Sequence, residues 1–583
     1  MNALWLTKKG WADKPNSKNL AKGIPMISSE RATEGLTPEF LNGLRNRIRS
    51  HILDKAESYF KEDGTAYTQN NPALKRAEMV VNFYDYQPCC ASVLGAMAAE
   101  GNERALILVR RLFNNTQYYI GEGRQKEGFK ISLRRAQLHL ALAYERLKTV
   151  LPSEEIAAWT DLLFQTGQDM LDHFNGFQEK RPALDNRGFG TGINHVAIGA
   201  EGFWKTGQVL NRTDWRNCAG TFIDRLVAYG HPDGYFEEHT NDAREGGPSL
   251  VYTPLTAGCA FIVQRWRNAL NRERFVKCGT FFRNFMDSHL HALPFADERA
   301  NPHGLGCYGI ALHALSPEGR GLIRLSLDET HGTVNLERMS LEYLARLNFE
   351  IDHMETGSGA VPEPFQNGTF RITLPMAVAR SHGWTLGLSA LKALNRDIAP
   401  NSDYALDRQT LIFVSHQQAG TIVSGTKSKY DPLWSTVRKN KDAYPVNTGE
   451  LTLSADRTEV KVYYTGFTVN ATWIYGDQPR LILTSDSAEP LTTQLVLEAP
   501  LGTPLTVDAT SHTFGEEETT MNQVQSVATE KWAVQANQPG RLIWYAAPFN
   551  PYSTGNQSAP TTRRPVFAVE WTGRVEFTFT AHS

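Results

Sequence analysis

The sequence has little of what would assign it at a glance. No apolar run approaches the roughly 20 residues needed to cross a bilayer, so no membrane partner is expected. Neither sign of charge is in excess. There are 60 Lys and Arg against 62 Asp and Glu, a net charge of -2. That balance excludes the global basic field of a nucleic-acid or membrane-surface binder and leaves room for a local basic groove. Cysteine is sparse: the six lie at 89, 90, 218, 259, 278 and 307, and none forms a C-x-x-C pair. A zinc cluster, a dithiol redox motif and a disulfide scaffold are therefore not expected, and the redox compartment is left open. The opening residues carry Lys8 and Lys9 without a following apolar segment, unlike a signal peptide. The location is left open: secreted or periplasmic if a leader has been removed, otherwise cytoplasmic.

What is present divides into two regimes. A chain of 583 residues suggests two to four domains at about 100–200 residues each. From about 37 to 290 the pattern is helical. Thr37-Pro38-Glu39 reads as an N-cap, a first-turn proline and a favourable acid. Leu41, Leu44, Ile48, Ile52, Ala56 and Tyr59 then recur near a 3.6 period. Similar stretches run over 91–113, 131–151, 153–174, 193–209, 215–229, 253–270 and 274–290. Many helices with short connections predict antiparallel pairs, stacked as a solenoid or closed into a toroid; no fixed-period repeat supports the solenoid.

From about 320 the period becomes two. The runs starting at Thr369, Trp384, Glu459 and Arg574 alternate, and turn clusters such as Gly476-Asp477-Gln478-Pro479 separate such runs. Stacked antiparallel sheets are expected. The expected order is an N-terminal extension over 1–36, an incomplete (α/α) toroid over 37–310, a central antiparallel β-sandwich over 311–460 and a C-terminal β domain over 461–583.

Two segments of the helical half concentrate chemistry. Residues 185–199 carry glycines and polar groups into a helix opening with Asn194-His195. Residues 231–252 form a long polar loop with His239 and Arg244, ending in Tyr252 at the next helix start. Long loops on a helical scaffold tend to carry function. These residue types suit removal of the C5 proton of a uronate. Asn, protonated His or Arg can neutralise the adjacent carboxylate. Another group must take the proton, and a third must protonate the leaving glycosidic oxygen. Asn194, His195, His239 and Tyr252 supply these parts without a metal or cofactor.

Asn194-His195 followed by Tyr252 resembles the toroid polysaccharide lyases, including the heparinase II/III-like enzymes and the alginate, chondroitin and hyaluronan lyases. Asp233-Gly-Tyr-Phe-Glu-Glu-His239 is similar to the His and Tyr loop of the chondroitin and hyaluronan lyases, with a longer step from His239 to Tyr252. Residues 376–389 resemble a strand pair of that family's central β domain. The resemblance implies metal-independent β-elimination of an acidic polysaccharide or oligosaccharide. Asn194, with or without His195, would neutralise the carboxylate. Tyr252 would be the acid and possible base, with His239 or His195 as the alternative base. A β-domain histidine, His382 or His416, would face the toroid. Arg244 and Arg299 are candidates for binding substrate carboxylates, since arginine pairs them bidentately. The aromatic patch of the chondroitin lyases appears in altered form as Asn82-Phe83-Tyr84-Asp85-Tyr86. The sequence does not set the oligomeric state.

Blander readings stand beside these. Asn194 suits a helix N-cap. Tyr252 suits a core tyrosine with its hydroxyl bonded. His382 suits strand packing, and Glu237 and Glu238 read as loop charges. Three other functions compete: a glycoside hydrolase using Asp233 with Glu237 or Glu238, a uronate C5-epimerase, and a non-catalytic glycan-binding protein.

Overall fold

The computed structural model describes residues 29–582 except 59, 61–86, 119, 121–133, 181–192, 238–246, 297–303, 329–333, 393–410, 425–434, 441, 444–445, 514–516 and 547–563. α1 (Pro38–Glu57) opens as its sequence demands. Thr37 Oγ1 accepts the Phe40 N–H at 3.2 Å, and Pro38 sits in the first turn, where no amide donor is needed. Leu41, Leu44, Ile48, Ile52 and Ala56 fall on one buried stripe. Two helices, α2 (Ala91–Ala99) and α3 (Glu103–Tyr118), replace the single one expected over 91–113. Gly101, at φ 95, turns the chain between them.

α4 (Ala136–Leu147), α5 (Ser153–Lys180), α6 (Ile193–Val209), α7 (Thr213–Tyr229), α8 (Tyr252–Trp266) and α9 (Arg272–Asn284) follow. The helices then run on to Ile351, past the change expected near 310. α10 (Ile310–His313), α11 (Pro317–Ser326) and α12 (Leu341–Ile351) are too short to show a sustained period. Ser316 caps α11: its Oγ accepts the Gly319 N–H at 3.1 Å, and Pro317 sits in the first turn.

Burial sorts these helices into two layers. Every residue of α8 from Tyr252 to Gln264 is buried, and α6 is nearly as enclosed. α7 buries one stripe through Trp215, Ala219, Phe222, Ile223 and Leu226. α2, α4, α6, α8 and α10 are successive neighbours in an inner row, and α12 returns to α2. The result is an incomplete (α/α) toroid with an apolar core.

Two antiparallel sheets follow. The first has the order β1 (Gly368–Arg371), β2 (Met376–Ser381), β3 (Trp384–Ser389), β4 (Ile412–His416), β5 (Gly420–Val423). The second has thirteen strands, from β6 (Val437–Lys439) to β18 (Arg574–Ala581). It is one hydrogen-bonded unit. Position 460, where the expected sandwich boundary lay, falls inside the strand Arg457–Tyr464.

The five-stranded sheet is the middle layer of the molecule. Met376, Val378 and Phe413 join the helical core, whereas Leu386, Leu388, Ile412 and Val414 pack with Trp473 and Phe579 of the large sheet. The alternation of strand side chains produces this division. A close approach fixes the fit, because a Cβ on Gly387 would lie 2.5 Å from the Phe295 ring. On the same residue, the carbonyl accepts Trp473 Nε1–H at 3.1 Å, which ties the sheets together.

Candidate active site

Asn194 and Tyr252 stand at the starts of neighbouring inner helices. Trp204 and Trp266 stack with ring centroids 5.1 Å apart near the far ends of α6 and α8. Midway, Cys259 lies beside Glu201, whose carboxylate adds to burial in pushing the thiol up. These two contacts make α6 and α8 parallel neighbours. Asn194 precedes Glu201, and Tyr252 precedes Cys259, by the same interval of roughly two helical turns. The two residues therefore stand at the same end of the inner row. They lie on the faces that carry Glu201 and Cys259 toward each other.

Asn194 is 1% exposed, and among the described residues neither its Nδ2 nor its Oδ1 has a hydrogen-bond partner. It is the second residue of α6, so its side chain does not cap the helix. An unmade hydrogen bond on a buried polar group costs about 1–3 kcal/mol, so a group of this kind calls for a partner such as an ordered water or a ligand. One turn beyond Tyr252, the Thr256 hydroxyl is also buried and unpartnered. His195 is half-buried on the next position of α6. Tyr252 is 3% exposed and begins α8, where its backbone N–H donates to Ser249 Oγ at 3.3 Å.

Beneath this end the inner row holds a buried ionic layer. Arg346, on α12, donates to Glu201 at 2.6 Å and lies 2.7 Å from Glu350. Glu350 also accepts the Gly309 and Ala311 N–H groups, both at 2.9 Å, at the start of α10. Arg135 lies 3.0 Å from Glu342, which accepts the Tyr308 hydroxyl at 2.8 Å. Burial pushes the Glu201 carboxyl up, opposed by Arg346. Arg346 stays charged between its two acids. Nothing in the local sequence announced this layer, because Glu201 and Arg346 belong to separate helices.

Two side chains, Thr253 and Asp233, fix the 231–236 turn that precedes α8. Thr253 Oγ1 accepts the Phe236 N–H and donates to the Phe236 carbonyl, each at 3.0 Å. Asp233 accepts the Thr373 backbone N–H at 2.7 Å and the Thr373 hydroxyl at 3.1 Å. Asp233, a candidate hydrolytic acid, is thus engaged by the first sheet. Glu237 is buried.

His382 lies on the two-residue turn joining β2 and β3, not within a strand. It has φ 54, its side chain is 53% exposed, and its Nδ1 is 2.7 Å from Ser381 Oγ. His416, at the end of β4, is buried against Trp384 with ring centroids 4.8 Å apart. Burial and the nearby His289 lower the affinity of His416 for a proton. His239, Arg244 and Arg299, the glycine-rich lead over 185–192, Glu238 and the 82–86 patch lie outside the described residues. Among the described residues, no group of three or more His, Cys, Asp or Glu is placed to hold a metal ion. No described helix is long and apolar enough to cross a membrane.

No family model matches the chain, and no curated protein matches it. Solved structures do. Xanthan lyase from Paenibacillus superposes with a TM-score of 0.54 at 11% identity, over 96% of this chain and 59% of that one. Chondroitin AC lyase from Streptomyces coelicolor, solved with chondroitin sulphate, gives a TM-score of 0.53 at 12% identity, over 95% of this chain and 82% of that one. Both alignments run through helices and sheets alike, so the chain has the toroid-plus-sandwich fold of polysaccharide lyases.

Proposed function

We propose that the chain is a polysaccharide lyase that cuts a uronic-acid-containing glycan by β-elimination. What supports this reading is the buried amide of Asn194, unpartnered among the described residues, near the start of an inner helix whose neighbour begins with Tyr252. A uronate carboxylate would supply the missing partner for the amide N–H. As the C5 proton leaves, charge spreads onto that carboxylate, and a donor already in place strengthens its bond there without reorganising. The C5–H electron pair becomes the C4–C5 double bond. The C4–O pair leaves with the glycosidic oxygen, which Tyr252 protonates. His195 or His239 would take the C5 proton, or Tyr252 would perform both steps. His382, Arg244 and Arg299 would bind more distant acidic groups of the glycan.

The fold supports this reading, because a helical toroid capped by sheets is how xanthan lyase and chondroitin AC lyase are built. The hydrolase reading loses support because Asp233 is held by Thr373. The test is near-ultraviolet absorbance of uronic-acid polysaccharides treated with the enzyme, with Tyr252→Phe alongside. Elimination leaves a double bond conjugated to the carboxylate, so absorbance rises with cleavage and the rise is lost in the variant. Chain shortening without absorbance would instead indicate hydrolysis.

A further inference from the structure

We infer that Asp233 and Thr253 are positioning residues, through which the sandwich holds Tyr252 in its working pose. The inference rests on the proposed role of Tyr252. It starts from a path of short hydrogen bonds that bypasses the 238–246 stretch. Thr373 lies in the turn between β1 and β2. Both of its donors, backbone N–H and hydroxyl, end on the two oxygens of Asp233, at 2.7 and 3.1 Å.

Asp233 stands on a tight turn. The His231 N–H donates to the Tyr235 carbonyl at 2.8 Å, and the Gly234 N–H to the His231 carbonyl at 3.0 Å. The turn is braced from α9, where Arg274 Nη1 donates to the His231 carbonyl at 2.6 Å. Gly234 has φ 100, and a Cβ there would lie 2.6 Å from the Lys277 carbonyl oxygen. His231 stacks on Tyr235 with centroids 4.3 Å apart, and its Nδ1 is 3.3 Å from the Asp233 carboxylate. The turn is therefore tied together as one hydrogen-bonded unit. Its next residue, Phe236, has both backbone groups bonded to the Thr253 hydroxyl, and Thr253 follows Tyr252 directly in the chain.

The path runs from the first sheet to Asp233, through the 231–236 turn to Thr253, and so to Tyr252. A general acid must reach its oxygen within hydrogen-bond distance, so a small shift of the α8 start should slow the chemical step more than it weakens binding. The arrangement makes the docked sandwich part of the catalytic geometry.

The experiment uses the full chain with Asp233→Ala, Thr373→Val, their double variant, Thr253→Val and Thr253→Ser. For a positioning role, Asp233→Ala lowers kcat by about 10-fold or more, in the range that misplaced catalytic groups produce, while KM stays within about twofold. The double variant is no worse than Asp233→Ala alone, and Thr253→Ser retains the activity that Thr253→Val loses. A loss confined to KM, or an additive double variant, overturns the inference. Hydrogen exchange at the Phe236 and Thr253 amides is read on the same proteins. Faster exchange in Asp233→Ala supports the clasp even if no uronate glycan is turned over, which separates failure of the lyase reading from failure of the clasp. Unchanged exchange overturns the clasp whatever the activity.

Discussion

Arg346 and Glu201 pair at 2.6 Å with both side chains 1% exposed, joining α12 to α6 beneath the Asn194 end of the inner row. Removing one partner of a buried pair leaves the other charge uncompensated, at a cost of about 3–5 kcal/mol. Arg346→Met should therefore lower stability by that order, since it strands both Glu201 and Glu350. Glu201→Gln should cost much less, because burial already favours the neutral carboxyl there and Glu350 still balances Arg346. Denaturant unfolding of the two variants decides it. Equal losses would show that Glu350 alone does not balance Arg346.

Asn194→Ala should separate stability from function. The amide it removes is buried and unpartnered, so the folded state loses no hydrogen bond, and the melting temperature should hold or rise. Elimination should fall by about 10²–10³ in kcat, the usual loss for one donor to a developing anion. A large drop in melting temperature together with full activity would show that the residue is structural.

Desolvated histidines, among them the buried His139 and the half-buried His353, tie stability to acid. Burial pushes His139 and His353 from 6.5 down to about 3. Above about 6.5 both are neutral whether the chain is folded or not, and stability is insensitive to them. Below it the unfolded chain binds protons that the folded chain refuses. Stability should then fall with pH, between about 6.5 and 3, by up to about 1.4 kcal/mol per pH unit for each histidine. Unfolding free energies between pH 7 and 4 test this. A flat profile would mean the rings are hydrated in the native state.

Two glycines give opposite expectations. Gly43 lies inside α1, and a Cβ there meets nothing within 4 Å, so Gly43→Ala should stabilise by about 0.5–1 kcal/mol. Gly387→Ala would press on the Phe295 ring and should destabilise by about 1–3 kcal/mol. Thermal melts of both suffice. A gain from Gly387→Ala would mean that Phe295 has room to move.

The sequence disclosed what is local. The Thr37-Pro38 start, the helices opening near Asn194 and Tyr252, and the strands at 369, 384, 459 and 574 all rest on caps and periods within a short window. It concealed α10 and α12, which are too short to repeat. It also concealed the break at Gly101, because apolar residues recur on both sides. The unpartnered state of Asn194 could not be read, since it depends on what the neighbouring helices fail to offer. The Asp233–Thr373 link joins residues 140 positions apart, and the Arg346–Glu201 pair spans 145; only the fold brings such partners together.

The five-stranded sheet, apolar on both faces, has a practical consequence. A protease cutting between the helices and strands would not release two soluble halves, because each would keep or lose a shared wall of Met376, Val378, Phe413, Leu386 and Leu388. Nicked protein should stay associated through purification. A helical half expressed alone should aggregate, its exposed underside acting as an adhesive surface.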